Sequence, residues 1–93
     1  MASWYDKAVF YHIYPLGMLG APFVNTEDAA ADRFPELDQW VAHMEATGCT
    51  ALYIGPLFES SSHGYDTRDY RLADRRLGTN EGFRHFTRLC HEA

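Results

Sequence analysis

Two β-branched and aromatic runs with one amphipathic helix between them constrain this chain more than any other feature. The first run is Ala8-Val9-Phe10-Tyr11-His12-Ile13-Tyr14, closed by Pro15. It reads as a strand buried on both faces. The second run starts at Cys49 or Thr50, ends at Ile54 and is closed by Gly55-Pro56. Residues 34–47 predict a helix between them. Pro35 suits its first turn, where a missing N–H costs nothing. Glu36 and Asp38 sit near the positive end of the helix dipole. Leu37, Trp40, Val41 and Met44 recur at helical spacing as one apolar stripe, and Gly48 is the expected stop. Strand, helix and strand in this order form a βαβ unit, with parallel strands and a right-handed crossover.

The rhythm continues. Thr79 is placed to cap a second helix running through Arg88 or beyond, with Phe83, Phe86, Leu89 and Cys90 on its apolar face. Residues 16–26, with Gly17, Gly20 and Pro22, read as a loop, and a short helical turn is expected over 27–31. Two parallel strands leave both edges open and need further partners. The expected fold class is therefore α/β: the first βαβα quarter of a (β/α)8 TIM-type barrel, incomplete in this chain. A doubly wound sheet is the rival, and it would usually carry a glycine-rich phosphate turn after the first strand. Here that turn is Pro15-Leu16-Gly17-Met18-Leu19-Gly20, without G-x-G-x-x-G spacing. The chain stops at Cys90-His91-Glu92-Ala93, inside or just after a helix. Residues 1–93 are expected to be the opening segment of a larger enzyme.

Charge and motifs narrow the function. A net charge of −5 argues against nucleic acid as a partner. Cys49 and Cys90 fit no metal spacing and read as buried thiols. No two of the histidines His12, His43, His63, His85 and His91 are four residues apart, and H-E-x-x-H is absent, so no metal site is expected. No apolar run approaches a membrane span. The N-terminus lacks the basic and apolar regions of a signal peptide, so a cytoplasmic location is expected.

What remains is the stretch after the second strand, SSSHGYDTRDYRLADRRLGT over residues 60–79. In a parallel α/β fold such a loop leaves the carboxyl end of its strand, where ligands bind. His63-Gly64-Tyr65-Asp66 stands out. A glycine before an aromatic lets the backbone turn tightly and present the ring to a cleft. A tyrosine ring can stack on the apolar face of a pyranose, or merely pack its own loop. His63 is the one histidine set among loop residues that can face a ligand, whereas His12 points from the first strand, either into a barrel interior or, as expected, as a satisfied core histidine. Asp66, Asp69 and Asp74 invite an acid/base assignment. Arginines lie beside or close to all three, and paired carboxylates with lowered pKa make poor general acids, so structural bridging is expected instead.

These pieces resemble a known family. Val9-Phe10-Tyr11-His12-Ile13-Tyr14-Pro15, then residues 48–60 (GCTALYIGPLFES), then His63-Gly64-Tyr65-Asp66-Thr67-Arg68-Asp69-Tyr70, then Asp74 and Leu77-Gly78-Thr79 are similar, in order and spacing, to the start of the α-amylase family of glycoside hydrolases. The resemblance implies a (β/α)8 barrel whose first two strands and helices lie here, as the N-terminal segment of an α-amylase-type catalytic domain. It implies cleavage or transfer of α-glucosidic bonds with retention, through a covalent glycosyl-enzyme intermediate, on starch, glycogen or maltooligosaccharides. The family's catalytic carboxylates lie on the fourth, fifth and seventh strands. No catalytic residue is therefore expected in this segment, and alone it should be inactive. Tyr65 matches the aromatic that stacks on the sugar, Gly64 the glycine that positions it, and His63 a histidine of many members. These three are the expected substrate-binding residues. Asp66, Asp69, Tyr70 and Asp74 match positions that hold the loop. No cofactor is implied for this segment; the calcium ligands of many members come mainly from later segments, which leaves calcium open for the parent enzyme. The implied partners are an α-glucan or maltooligosaccharide and the remainder of the barrel, or a second copy of the fragment. The alternative is a non-catalytic amylase-like barrel, either a binding scaffold or a transporter partner subunit. The transporter subunits carry a membrane segment ahead of the barrel, and this chain shows none before its first strand.

Overall fold

The computed structural model of the protein describes residues 3–26 and 29–93. A 3₁₀ turn, Trp4–Lys7, leads into strand β1, Phe10–Ile13, and the short helix α1, Pro15–Met18. A second 3₁₀ turn, Phe34–Leu37, runs into helix α2, Asp38–Ala46. Then follow β2 (Ala51–Ile54), β3 (Phe58–Ser60), β4 (Thr67–Ala73) and helix α3 (Asn80–Glu92). Strands β1 and β2 pair in parallel, with Phe10 opposite Ala51 and Ile13 opposite Ile54. Strands β3 and β4 form a separate antiparallel hairpin with an irregular register. The backbone of the fold is thus β1-α2-β2-α3, two consecutive β/α units, with the hairpin inserted after β2.

Local chemistry explains the boundaries. Helix α2 ends at Thr47, where Gly48 N–H reaches the Glu45 carbonyl at 3.1 Å and Cys49 N–H the Met44 carbonyl at 3.0 Å. This paired closure turns the chain directly into β2. Helix α3 begins where Thr79 Oγ1 accepts from the Gly82 N–H at 3.0 Å, which satisfies one of the unpartnered donors of its first turn.

The core lies between the helices and one face of the parallel strands. Ile13, Leu16, Phe34, Leu37, Val41, Met44, Leu57, Leu77 and Phe86 are buried together, with Tyr11, Leu52 and Ile54 packed against them. Phe34 is its hub, with its ring 5.5 Å from that of Phe83. Gly78 fits beside it because a Cβ there would lie 2.7 Å from the Phe34 ring.

Several expectations are corrected. In this segment alone β1 is covered on one face and not on both: Phe10 is 51% exposed, and Tyr53, on the same face of β2, is 60% exposed. His12 lies on that open face, edge-on to Tyr53 with ring centroids 4.7 Å apart, and is not a core residue. The helices cover one side of a two-stranded sheet, and no described residue covers the other. Pro15 does not lead into a loop but opens α1 at its first position, where its missing donor is harmless. Trp40 is only partly buried, its ring edge-on to His43 at 5.4 Å. The stretch after β2 contains a strand pair where a loop was expected. The turn expected over 27–31 lies partly outside the described residues, and 29–31 are not helical.

Candidate functional site

The hairpin β3–β4 has His63-Gly64-Tyr65 at its tip. Gly64 fixes where that tip sits. Its φ is +103°, and a Cβ there would lie 2.7 Å from Pro56 Cγ and 3.3 Å from Leu16 Cδ1. Pro56 lies just beyond the end of β2, and Leu16 just beyond the end of β1. The tip therefore rests on the carboxyl ends of both parallel strands, the face on which parallel α/β folds place their ligands.

On this pedestal the Tyr65 ring is 76% exposed. The His63 ring stands beside it, with centroids 6.1 Å apart and planes tilted by 34°. Tyr65 N–H donates to His63 Nδ1 at 3.1 Å. With Nδ1 accepting, the neutral imidazole carries its proton on Nε2, as an outward donor.

Asp66 binds the tip from within. Its Oδ2 accepts from Ser62 Oγ at 2.7 Å, and its Oδ1 from the N–H groups of Ser62 at 3.2 Å and Gly64 at 3.3 Å. His63 Nδ1 is 3.7 Å from the same Oδ1. The Ser62 hydroxyl above all, with the backbone donors, holds the Asp66 carboxyl down at about 2. A depressed carboxylate pKa stabilises the fold above the ordinary value of 3.8, and that contribution is lost as pH falls through about 2. The tip should thus keep its order at pH 4 and loosen on the way to pH 2. A carboxyl ¹³C titration of Asp66 with a midpoint near 3.8, instead of near 2, would contradict this.

Behind the tip lies a buried ion pair. Asp74 is fully buried and Arg76 nearly so. Arg76 Nε and Nη2 donate to the two Asp74 oxygens, each at 2.9 Å, a bidentate fork. Arg76 Nη1 reaches the carbonyls of Pro22 at 2.8 Å, Phe23 at 2.9 Å and Ser62 at 2.7 Å. Ser60 N–H donates to Asp74 Oδ2 at 3.0 Å. Burial pushes the Asp74 carboxyl up, but its hydrogen bonds, led by that of the Arg76 side chain, more than reverse this and leave it lowered. A neighbouring buried carboxylate, Glu59, pairs with Arg75 Nε at 2.7 Å and accepts from Asn25 Nδ2 at 3.2 Å.

His63, Gly64, Tyr65 and Asp66 are thus brought together at the tip, and Asp74 lies directly behind it. Asp69 and Tyr70 lie elsewhere. Asp69 Oδ1 accepts from the Arg71 N–H at 2.8 Å, and Tyr70 is exposed against Phe58 on the outside of the hairpin. Among the described residues, the bridging expected between these aspartates and neighbouring arginines is seen at Asp74, with Arg76. Asp66 takes Ser62 instead, and Arg68 reaches Glu59 at 3.7 Å. Neither Asp66 nor Asp74 is available as a general acid near neutrality, since both are lowered. Sequence reasoning missed Glu59, Ser62 and the particular role of Arg76. The readable signal was the polar run Glu59 to Ser62 that follows β2 after Gly55-Pro56-Leu57-Phe58. Among the described residues no three metal-binding side chains cluster, and no helix is long and apolar enough to cross a membrane.

Comparison with known proteins agrees with this geometry. Residues 23–93 match the family model described as the α-amylase catalytic domain. The whole chain is 36% identical to 16% of an oligo-1,6-glucosidase of Heyndrickxia coagulans. It is 35% identical, over 98% of its length, to 18% of neopullulanase 2 of Thermoactinomyces vulgaris. The solved structure of cyclic α-maltosyl-(1→6)-maltose hydrolase from Arthrobacter globiformis, in complex with maltose, superposes on 96% of this chain with a TM-score of 0.73 at 30% identity, using 24% of that chain. This chain spans about a sixth of the length of these curated relatives. Its two β/α units are a partial segment of a (β/α)8 barrel. The match over residues 23–93, the identity along the full chain and the shared fold together place the chain in the α-amylase family of glycoside hydrolases.

Proposed function

We propose that residues 1–93 supply the first two β/α units of a catalytic barrel acting on α-glucosidic bonds of α-glucans or maltooligosaccharides, and that the hairpin tip is part of its sugar site. The observation that carries this reading is the exposed Tyr65 ring, held on the carboxyl ends of two barrel strands. The ring offers its face to the apolar face of a pyranose. His63 Nε2–H stands beside it as a donor to a sugar hydroxyl. Asp66 serves the tip by fixing its backbone. The carboxylates that attack the anomeric carbon and protonate the leaving oxygen come from other strands of the barrel, so this segment binds and orients while the rest of the barrel cleaves. The names of the relatives, an oligo-1,6-glucosidase and a neopullulanase, support the α-glucan substrate class.

The test is kinetic. In the complete enzyme, Tyr65→Ala should lower kcat/KM for maltotriose by about 5- to 150-fold, the loss of roughly 1–3 kcal/mol of stacking. The 93-residue chain alone should turn nothing over. Unchanged kinetics in the variant, or turnover by the isolated chain, would count against this reading.

A further inference from the structure

The tip is also held from outside the hairpin. Tyr14 follows β1 directly, and its hydroxyl donates to the His63 carbonyl at 2.6 Å across 49 residues of sequence. We infer that Tyr14 is a positioning residue for the sugar site: its hydroxyl sets the His63–Gly64 peptide, and through it the direction in which the Tyr65 ring and the His63 imidazole face a ligand. This inference rests on the sugar-site reading above.

Three observations carry it. First, Tyr14 is itself fixed. It precedes Pro15, which holds it extended at φ −95°, ψ 96°. Its ring lies against Gly17, where a Cβ would come within 3.0 Å of Tyr14 Cδ1 and 3.3 Å of Cε1. Gly17 thereby leaves the ring room to reach across α1. Second, the acceptor lies at the tip itself, between the Ser62 carbonyl held by Arg76 Nη1 and the Gly64 carbonyl held by Thr67 Oγ1. It belongs to the peptide entering Gly64, which has no side chain of its own to limit rotation. Leu16 and Pro56 lie close against Gly64. Asp66 ties the N–H groups of Ser62 and Gly64, and Tyr14 ties the carbonyl oxygen between them. Third, the bond is accessible. Tyr14 is 39% exposed, so water can replace the hydroxyl when it is removed, and global stability should change little. A strong bond between two wet groups, joining β1 to the residue before the glycine, acts on direction more than on folding.

Tyr14→Phe in the complete enzyme removes the hydroxyl and keeps the ring on Gly17. It should lower kcat/KM for maltotriose about 3- to 10-fold, with Tm within about 2 °C of the parent. The decisive readout is a double-mutant cycle. In a background carrying both His63→Ala and Tyr65→Ala, Tyr14→Phe should cost no more than about 1.5-fold, because the imidazole and the ring it positions are gone. Gly17→Ala, which crowds the Tyr14 ring, should show the same coupling and serves where Tyr14→Phe folds poorly. The inference is overturned if Tyr14→Phe is silent while Tyr65→Ala is impaired, or if the two losses multiply independently. Should Tyr65→Ala itself be silent, the sugar-site reading fails, and this inference fails with it.

Discussion

Replacing Arg76 with methionine should destabilise the protein by about 3–5 kcal/mol, the usual consequence of removing one partner from a buried ion pair. Asp74 would remain fully buried, with Ser60 as its chief remaining side-chain neighbour. The carbonyls of Pro22, Phe23 and Ser62 would lose their shared donor. Those three carbonyls link the segment after α1 to the hairpin, so the loss should also shift the tip. The pH dependence should change in step. The Asp74 carboxyl is lowered in the fold, so the pair contributes above the ordinary carboxylate value of 3.8, and that contribution fades as pH falls through the lowered one. In Arg76→Met this acid sensitivity should be reduced or reversed, since burial alone raises a carboxyl. Urea unfolding at neutral pH and near pH 3 measures both. A loss under about 1 kcal/mol at neutral pH would mean that the pair is not the anchor described above.

Gly64→Ala should cost about 2–5 kcal/mol. Two effects add: roughly 1–2 kcal/mol for a left-handed backbone carrying a Cβ, and about 1–3 kcal/mol for forcing that Cβ into Pro56. The clash is with a proline ring 2.7 Å away, which cannot swing aside as a flexible side chain would. Gly20→Ala separates the two contributions. Gly20 is also left-handed, at φ +67°, but a Cβ there meets nothing within 4 Å. It should show the backbone cost alone, and the difference between the two variants measures how tightly the tip is seated on the strand ends. Equal losses in the two unfolding curves would remove the seating from the account.

The elements that were legible in the sequence are those fixed by neighbours in sequence. Helix α2 was readable from Leu37, Val41, Met44 and the stop at Gly48, and α3 from its Thr79 cap. The parallel pairing of β1 and β2 followed from the order strand, helix, strand. Strand β4 was not legible. Its segment Thr67–Ala73 breaks up its few apolar residues with Arg68, Asp69 and Arg71, and no apolar run marks it. Its pairing with β3 is irregular and is supported by Glu59, Asp74 and Arg76, contacts that no local pattern announces. The exposure of Phe10 and Tyr53 was equally unreadable, because burial of a strand face depends on what packs over it and not on the strand. At the site, His63-Gly64-Tyr65 was visible as a motif because its chemistry sits in three consecutive residues. Its anchors were not: Tyr14 reaches it across 49 residues, and Arg76 behind it holds the Pro22 and Phe23 carbonyls across 54 and 53. Trp40 matched the helical stripe by spacing, yet packs at its edge against His43.

The most direct test of the account is the position of a bound sugar. A crystal structure of the complete enzyme with maltotriose should place a pyranose ring face-on to Tyr65, about 4 Å from its plane as ordinary van der Waals packing requires, with a hydroxyl in hydrogen-bond reach of His63 Nε2. A sugar bound elsewhere on the barrel, with Tyr65 and His63 left facing solvent, would contradict it.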